Sequence, residues 1–495
     1  MTKNQITALF AVAMRCRRFR QVLGEEQSKA ALRRRGVMGK LNRGNWAYAL
    51  LLFCAATTIP SLAQTFTTMH SFDGTDGALP YAGLVQASDG DLYGTTEAFG
   101  ASSYGTVFKI TPSGKLTTLH SFDGTDGAYP YAGLTQAING NLYGTTYEGG
   151  TDNDGTVFKI TSSGRLTTLH SFDGRDGSRS TAGLIQATNG DLYGTTLYGG
   201  TSGGGAVFKI TPGGKLTTLH SFCCNPYAGL VQAADGNLYG TTEAGGANGY
   251  GAVFKITPSG KLTTLHSFRY GLGYDPTAGL VQATDGNFYG TTYEGGSHHL
   301  RNGTVFKITP SGKLTTLVNF DVTDGSYPDA ELVQATDGNL YGTTLEGGAN
   351  DYGTVFKITP SGTLTTVYSF CSKSACADGA FPAAGLIQAT NGTFYGTTED
   401  GGANNLGTVF SLSVGLGPFV KTQPTSGKVG AAVKILGTDL TGTTSVTFNG
   451  TAAVFKVVSP SSINATVPES ATTGEVDVTT PNGTLKSNVV FRLRK

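Results

Sequence analysis

The chain has 495 residues, of which 73 are glycine and only 14% are charged. A glycine-rich chain with few long charged side chains suits an all-β protein with many tight turns rather than a helical protein. Lysine and arginine, 35 in all, nearly balance 34 acidic residues, which argues against a basic nucleic-acid-binding surface.

The first 63 residues differ in character from the rest of the chain. They carry eleven basic and two acidic residues, then an apolar run from Trp46 to about Ile59, and end with Ser61-Leu62-Ala63. This order predicts a signal peptide over residues 1–63, and Met38 is the expected true start because the basic region before it is too long for a bacterial signal. A transmembrane anchor is the alternative, but the apolar run is shorter than the ~20 residues that a bilayer requires.

Cleavage after Ala63 would change the charge of the protein. Removing the eleven basic and two acidic residues leaves 24 basic and 32 acidic residues, a net charge of −8. We therefore expect a secreted or cell-surface protein that binds no nucleic acid and has no transmembrane segment in its mature chain. The only tryptophan, Trp46, leaves with the signal, so aromatic ligand contacts must come from Tyr or Phe.

The following residues repeat one pattern seven times. Its Tyr-Gly-Thr-Thr segments begin at Tyr93, Tyr143, Tyr193, Tyr239, Tyr289, Tyr341 and Tyr395, at spacings of 50, 50, 46, 50, 52 and 54 residues. Each copy predicts four antiparallel strands, named A to D, with hairpin turns such as Asn139-Gly140. Residues 65–412 are therefore predicted to form a seven-bladed β-propeller. The alternative, a parallel β-helix, has shorter coils and lacks paired hairpin turns.

The ends of the repeat array predict how the ring closes. A D-type segment, residues 66–72, precedes the first A strand, whereas the last blade ends at Leu412 without a D strand. Pairing the two segments completes the seventh sheet and covers an exposed edge.

Residues that recur at equivalent positions are interpreted as structural. Val318 and Tyr368 replace the strand-D histidine in two copies, which a metal or proton-transfer site would not tolerate. The recurrent strand-C lysine becomes Ser411 in the last blade, so we expect it to be solvated. The glycine after each repeat tyrosine is predicted to let neighbouring blades approach closely. The histidines are His70, His120, His170, His220 and His266.

Length differences among the copies locate the candidate site. The A–B and C–D turns stay nearly constant, whereas the D–A loop ranges from five residues (223–227) to thirteen (371–383), and one B–C loop grows from eight residues to ten. Both variable loops leave an antiparallel blade on one face, here named the D–A/B–C face, and binding residues favour variable loops on a rigid frame. The candidate binding residues are Glu97, Glu148, Glu243, Glu294, Glu346, Glu399, Tyr81, Tyr131 and Tyr227.

These acids and tyrosines predict a carbohydrate or protein ligand. The alternative is that the Asp-Gly pairs of this face only form turns and the acids only keep a secreted surface soluble. The aspartate spacing does not match a calcium loop such as the EF-hand, and the loop pair His298-His299 is a weak metal candidate. We therefore expect no cofactor, although a bound cation is compatible with the acids.

Four cysteines follow residue 63. Cys371 and Cys376 share one loop and are the candidate disulfide, since export permits disulfides. The adjacent Cys223 and Cys224 could bond to each other, pair elsewhere or stay free. Neither pair has the two-dyad spacing of a zinc site.

After a short linker, residues 413–418, the repeats give way to a different module. The short alternating strands of residues 419–495 predict a small β-sandwich. Its segments Val433-Lys-Ile-Leu-Gly and Val446-Thr-Phe-Asn-Gly closely resemble the immunoglobulin-like IPT/TIG domain. That resemblance implies a spacer or contact module in a surface protein, or a DNA-contacting or dimerising domain in a transcription factor; the exported, acidic context favours the spacer.

The Leu-Tyr-Gly-Thr-Thr and Gly-Thr-Val-Phe-Lys-Ile segments of residues 66–412 resemble the GloVer-type (Gloeobacter/Verrucomicrobia) tandem repeats of exported bacterial proteins. The resemblance implies export and no known reaction. The sequence contains no nucleophile elbow or phosphate loop, and its acids recur at equivalent positions instead of forming a differentiated pair. We therefore expect a monomeric, non-enzymatic binding or adhesion scaffold. The alternatives are a polysaccharide-acting hydrolase or lyase and a structural envelope component.

Overall fold

The computed structural model describes residues 64–271, 273–296 and 301–494, all within one compact unit, Leu62–Lys495. The predicted signal peptide and the His298-His299 pair lie outside the described residues. Within them the chain is almost entirely β-structure, with one 3₁₀ turn at Ser374–Cys376. The all-β prediction is confirmed.

Seven four-stranded antiparallel sheets form the blades, which confirms the seven-bladed propeller. Strand β1 (Thr65–Ser71) precedes blade 1, which comprises β2 (Val85–Gln86), β3 (Leu92–Thr96), β4 (Thr106–Ile110) and β5 (Leu116–Ser121). Blades 2 and 3 comprise β6 (Thr135–Gln136), β7 (Leu142–Thr145), β8 (Thr156–Ile160), β9 (Leu166–Ser171), and β10 (Ile185–Gln186), β11 (Leu192–Thr196), β12 (Ala206–Ile210), β13 (Leu216–Ser221). Blades 4 and 5 comprise β14 (Val231–Gln232), β15 (Leu238–Thr242), β16 (Ala252–Ile256), β17 (Leu262–Ser267), and β18 (Val281–Gln282), β19 (Phe288–Thr292), β20 (Thr304–Ile308), β21 (Leu314–Asn319). Blade 6 comprises β22 (Val333–Gln334), β23 (Leu340–Thr344), β24 (Thr354–Ile358) and β25 (Leu364–Ser369), and blade 7 comprises β26 (Ile387–Gln388), β27 (Phe394–Thr398), β28 (Thr408–Ser413) and β1.

The ring closes through β1, as predicted. Strand β1 pairs antiparallel with β28, with Phe66 opposite Leu412 and Ser71 opposite Thr408. The first strand of the array therefore supplies the D strand of blade 7 and removes the unpaired edge of β28. Since β28 extends to Ser413, the segment between the modules starts one residue later than predicted.

The apolar cores lie between neighbouring blades. One cluster joins Tyr93, Val107 and Phe122 of blade 1 to Leu142 and Phe158 of blade 2, and equivalent clusters lie between the other pairs of neighbouring blades. Because packing covers both faces of strands B and C, these strands are buried throughout, apart from the strand-C lysines, Ser411 and Ser413. Burying each Phe or Leu contributes about 1.5–3 kcal/mol, which a single four-stranded sheet could not obtain alone.

The recurrent histidines have a structural role, as predicted. In three copies Nε2 lies within hydrogen-bond distance of the aspartate six residues further along the chain, in the D–A loop: His70–Asp76 at 2.6 Å, His120–Asp126 at 2.7 Å and His170–Asp176 at 2.6 Å. In blade 6, where Tyr368 takes this position, its hydroxyl donates to Asp378 at 2.7 Å. In these four copies the position therefore anchors the following D–A loop.

The strand-C lysines are not simply solvated, so that prediction is wrong for three of them. Their Nζ atoms lie beside an A–B turn aspartate, and the lysine side chains are only 28–29% exposed. The strand B–C register is the cause, since it sets Lys109 opposite Tyr93, two residues after Asp91. The pairs are Lys109–Asp91 at 3.1 Å, Lys209–Asp191 at 3.7 Å and Lys307–Asp285 at 2.8 Å.

The glycine after each repeat tyrosine serves its own blade and not the approach of a neighbouring one. A Cβ at Gly94 would lie 2.6 Å from Cζ of Phe108, its cross-strand partner, and 2.8 Å from Leu84 of the same blade. The prediction of a close inter-blade approach at this position is therefore wrong. Blades approach closely at another glycine, Gly83 in strand A, where a Cβ would lie 3.1 Å from the carbonyl oxygen of Gly385 in blade 7.

The C-terminal module is an immunoglobulin-like β-sandwich, as predicted. Its sheets have the orders β29-β31-β35-β34 and β33-β32-β36-β37, with β30 and β38 paired in parallel, around a core that includes Ile435, Phe448 and Val476. The strands are β29 (Lys421–Gln423), β30 (Ser426–Gly427), β31 (Ala432–Leu436), β32 (Ser445–Phe448), β33 (Thr451–Ala452), β34 (Phe455–Ser459), β35 (Ser462–Thr466), β36 (Val476–Thr480), β37 (Gly483–Lys486) and β38 (Arg492–Leu493).

Candidate functional site

The variable loops meet on one face because each D–A loop pairs with the B–C loop of the blade that follows it. Isolated bridges join Ala128 to Glu148 and Ser326 to Glu346, and similar bridges join these loops in four other blades. Blade 4, whose D–A loop is the shortest, has no such bridge in the described part of the chain.

Two of the candidate tyrosines bind candidate glutamates of the preceding blade. The Tyr81 hydroxyl donates to Glu399 Oε1 at 2.5 Å, and the Tyr131 hydroxyl donates to Glu97 Oε1. Burial, and next the charges of Glu399 and Glu97, raise the pKa of Tyr81 far above its usual value, so this phenol stays neutral and donates. Both pairs cross the boundary between adjacent blades.

An aromatic surface adjoins these pairs. The ring centroids of Tyr81 and Tyr131 are 5.5 Å apart, and Tyr147 packs edge-on against Tyr131 at 5.1 Å. Arg179 lies over Tyr147 at 5.3 Å and 3.8 Å from Glu148. The structure therefore brings together Tyr81, Tyr131, Glu97 and Glu399, with Glu148 at one side.

The remaining candidate glutamates have different environments from these. Glu294 accepts a hydrogen bond of 2.5 Å from the Tyr274 hydroxyl. Burial raises the pKa of Glu243, and burial together with the charge of Asp351 raises the pKa of Glu346 to about 7. The glutamates that recur in the B–C loops therefore have different environments. Their recurrence in the sequence is no longer an argument against a pair of carboxylates with different protonation behaviour.

The candidate tyrosines surround the opening of an axial channel with a cavity volume of about 650 Å³. Each blade contributes one residue to this opening from the start of its A strand, and we name the ring of seven the channel mouth. It consists of Tyr81, Tyr131, Thr181, Tyr227, Thr277, Asp329 and Ala383. The mouth lies at the D–A end of every A strand, and hence on the D–A/B–C face.

The channel wall contains a functional candidate that sequence reasoning missed. Two residues beyond the mouth, six blades place a glycine and blade 6 places Glu331. Its side chain is exposed to the hollow of the channel but has protein on all sides, and this burial raises its pKa to about 7. Comparing the seven Gly-Leu segments would have found it, because Glu331-Leu332 is the one copy that departs from the pattern.

The immunoglobulin-like domain packs on the opposite end of the propeller, so it is more than a detached spacer. Ser461 Oγ donates to the Ser88 carbonyl at 2.9 Å, and the Phe419 amide donates to the Thr390 carbonyl at 2.9 Å; both acceptors lie in A–B turns. Lys421 Nζ donates to the Gln388 carbonyl at 2.5 Å, and burial lowers the pKa of this lysine to about 8. The domain also contributes part of the cavity wall, namely Asn488, Val489, Val490 and Arg492.

The cysteines fall into two states. Cys371 and Cys376 form a disulfide that closes part of the longest D–A loop. Cys223 and Cys224, in the shortest D–A loop, are free thiols whose sulfur atoms lie 3.5 Å apart. Burial raises the pKa of Cys224, which disfavours the thiolate form of this residue.

The described residues contain no group of three or more His, Cys, Asp or Glu side chains arranged to hold a metal ion. Nor does this part of the protein include a helix whose length and hydropathy would let it cross a membrane.

The fold and the loop face define a β-propeller protein with an appended immunoglobulin-like domain. Residues 56–226 and 223–410 match the Gloeobacter/Verrucomicrobia repeat, and residues 419–492 match the IPT/TIG domain. The chain belongs to the Gloeobacter/Verrucomicrobia repeat family. No curated protein matches it.

Solved structures resemble the chain more distantly. A proposed 6-phosphogluconolactonase from Bacteroides fragilis is 16% identical with a TM-score of 0.43, covering 74% of this chain and 93% of its own. A similarly described protein from Bacteroides uniformis is 15% identical with a TM-score of 0.39, covering 65% and 99%. Because both TM-scores lie below 0.5, no property of these proteins is transferred to this chain.

Proposed function

We propose that the protein is an exported, non-enzymatic binding or adhesion scaffold of the bacterial surface or extracellular space, with its ligand at the channel mouth. The observation that carries this proposal is the combination of tyrosine rings and carboxylates at the mouth, formed by Tyr81, Tyr131, Glu97 and Glu399. Aromatic rings offer flat apolar surface and carboxylates accept hydrogen bonds from hydroxyl or amide groups, which suits a carbohydrate or protein ligand.

The position of the second domain supports the same assignment. The immunoglobulin-like domain packs against A–B turns, at the far end of the blades from the mouth. The D–A/B–C face stays accessible while the other end is partly covered. A scaffold that presents one face to a ligand has this arrangement.

The test is a binding screen of the mature protein on glycan and protein arrays, followed by titration calorimetry with each hit. Tyr131→Ala removes a ring of the mouth and should weaken binding by about tenfold or more. Tyr198→Ala is the matched control, because Tyr198 lies in a B–C loop, is 41% exposed and does not line the channel. Equal binding by both variants and the wild type would contradict a ligand site at the mouth.

One observation favours a second candidate, a polysaccharide-acting hydrolase or lyase. Glu346 has a pKa of about 7, whereas Glu399 accepts a hydrogen bond from Tyr81, so two carboxylates of this face have the differentiated environments that acid–base catalysis uses. Incubating the protein with every glycan it binds and analysing the products by mass spectrometry distinguishes the two candidates. Turnover that Glu346→Gln abolishes would replace the scaffold proposal. If no ligand binds, the third reading, a structural envelope component, is favoured.

A further inference from the structure

The wall of the axial channel is built for residues without a side chain. The segments that lead into the A strands approach so closely that a Cβ at Gly133 would lie 3.0 Å from the Gly83 carbonyl oxygen, and one at Gly183 would lie 3.2 Å from that of Gly133. Such contacts are tighter than ordinary packing, so sterics favour glycine at these positions, whereas the corresponding distance at Gly229 is an ordinary 3.5 Å. Glu331 departs from a pattern that packing favours.

The Glu331 carboxylate extends over the neighbouring blade. Its Oε2 lies 3.3 Å from where a Cβ of Gly279 would be, so the missing side chain of blade 5 makes the space that the carboxylate occupies. Among the described residues, none donates a hydrogen bond to this carboxylate or forms an ion pair with it. Its surroundings of protein are the only cause of its raised pKa. A carboxylate with protein on all sides of a narrow channel loses part of its hydration, and a cationic ligand would offset that loss.

The other charged groups along the channel make its two ends electrostatically different. Asp329 lies at the mouth, two residues before Glu331, and both residues line the cavity. Arg492 lines the cavity from the immunoglobulin-like domain, and its positive charge disfavours a cation at that end. The negative charges of Asp329 and Glu331 therefore lie at the mouth and just inside it. The aromatic faces of the mouth tyrosines also attract cations.

We propose that the axial channel binds a small organic amine, whose protonated amino group enters through the mouth and is held by Glu331. This inference rests on the proposed function, since the ligand reaches the channel through the same mouth. A cavity of about 650 Å³ accommodates a ligand as large as one sugar unit or a short alkyl chain. The required chemistry is an ammonium group, which an amino sugar or an alkyl amine supplies equally well.

The experiment titrates the mature protein at pH 7, where the amino groups of both amine probes are mostly protonated, with matched probes that differ in charge. Glucosamine is compared with glucose and N-acetylglucosamine, and butylammonium is compared with 1-butanol, by calorimetry or ligand-observed NMR. We expect the two cations to bind and their neutral counterparts to bind at least about tenfold more weakly. Which cation binds more tightly distinguishes an amino sugar from an alkyl amine.

Two variants assign the binding to Glu331. Glu331→Gly restores the residue that the other six blades carry, and Glu331→Gln keeps the volume while removing the charge; both should weaken the binding of the cations by about tenfold or more. Glu469→Gln removes an exposed carboxylate of the immunoglobulin-like domain and should change nothing. Far-UV circular dichroism checks that every variant is folded.

Every outcome of these titrations either supports or contradicts the proposed amine site. Cation binding that both Glu331 variants lose establishes the site, whereas binding that survives in either variant overturns it, as does a wild type that binds no amine or prefers none over its neutral counterpart. If array ligands bind at the mouth while amines do not, this inference fails and the proposed function stands. If amines bind through Glu331 while no array ligand is found, this inference stands and the proposed function fails.

Discussion

The hydroxyl of Tyr81 in blade 1 donates a 2.5 Å hydrogen bond to Glu399 in blade 7. The two residues are 318 positions apart in the chain and meet at the boundary that β1 and β28 close through their main chains. The ring is thus closed twice, once by the ladder in the outer part of the seventh sheet and once by a side-chain pair at the mouth. The contact belongs to the candidate site and to the closure of the fold at the same time.

Tyr81→Phe should therefore destabilise the propeller. The substitution keeps the ring but withdraws the donor from a half-buried carboxylate, which costs about 1–3 kcal/mol. Denaturant unfolding of the wild type and the variant measures the difference. Tyr198→Phe, at an exposed tyrosine, is the control and should change the free energy of unfolding by less than about 0.5 kcal/mol. Equal effects at the two positions would show that the Tyr81–Glu399 bond contributes nothing.

Gly133→Ala should destabilise the channel wall because the new methyl group would lie 3.0 Å from the Gly83 carbonyl oxygen. Over-packing of this kind costs about 1–3 kcal/mol. The matched control is Gly213→Ala in a C–D turn, where the nearest atom to an added Cβ is 3.8 Å away. Thermal unfolding of both variants measures the effect, and a Gly133→Ala protein as stable as the control would contradict the tight glycine ring.

Glu331 should make the stability of the protein depend on pH. Its pKa is about 7 in the folded protein against a usual value of 4.5, so the folded state holds the proton more tightly than the unfolded state. Glu331 therefore destabilises the fold increasingly as the pH rises from about 4.5 to 7, and fully above that range. Since channel water screens the charge, we expect Glu331→Gln to gain about 1 kcal/mol over the wild type at pH 8. Urea unfolding at pH 4 and pH 8 tests this, and an equal gain at both values would contradict it.

Lys421 should have the opposite pH dependence at the boundary between the domains. Its pKa is lowered to about 8 from the usual 10.5, so its charge destabilises the folded state below pH 8, and the penalty disappears as the pH rises from 8 to 10.5. Lys421→Met removes the charge but also the hydrogen bond to Gln388, which is worth about 1 kcal/mol. We expect the stability of the variant, relative to that of the wild type, to be higher at pH 7 than at pH 10. Thermal unfolding at the two pH values measures this, with exposed Lys428→Met as the control; the reverse order would contradict the buried charge.

The sequence predicted those parts of the architecture that repetition makes visible. The 50-residue period and hairpin turns such as Asn139-Gly140 indicated the blades, and the surplus segment at residues 66–72 indicated the closing strand β1. Two predictions made from local sequence were wrong. The strand-C lysines were expected to be solvated, and Gly94 was expected at a blade boundary, because neither the B–C register nor the position of the Phe108 ring can be seen in one repeat alone.

The site was predicted less completely. The variable loops indicated which acids and tyrosines lie on this face, but not that Tyr81 and Tyr131 would each bind a glutamate of the preceding blade. Glu331 was missed because a comparison of loop lengths passes over a substitution that leaves the length unchanged. The sequence places Glu346 five residues and Glu399 four residues after the tyrosine of its repeat, but burial and neighbouring charges, which set their environments, depend on the assembled ring.

The sequence by itself determined the all-β class, the count of seven blades, the strand that closes the ring and the immunoglobulin-like second domain. These follow from period, turn residues and alternation, which act within one repeat or between sequence neighbours. Only the tertiary structure decided which side chains share the mouth, where the second domain packs and that Glu331 stands in the channel. Those relationships depend on closing the ring, which places residues as distant as Tyr81 and Glu399 within one hydrogen bond of each other.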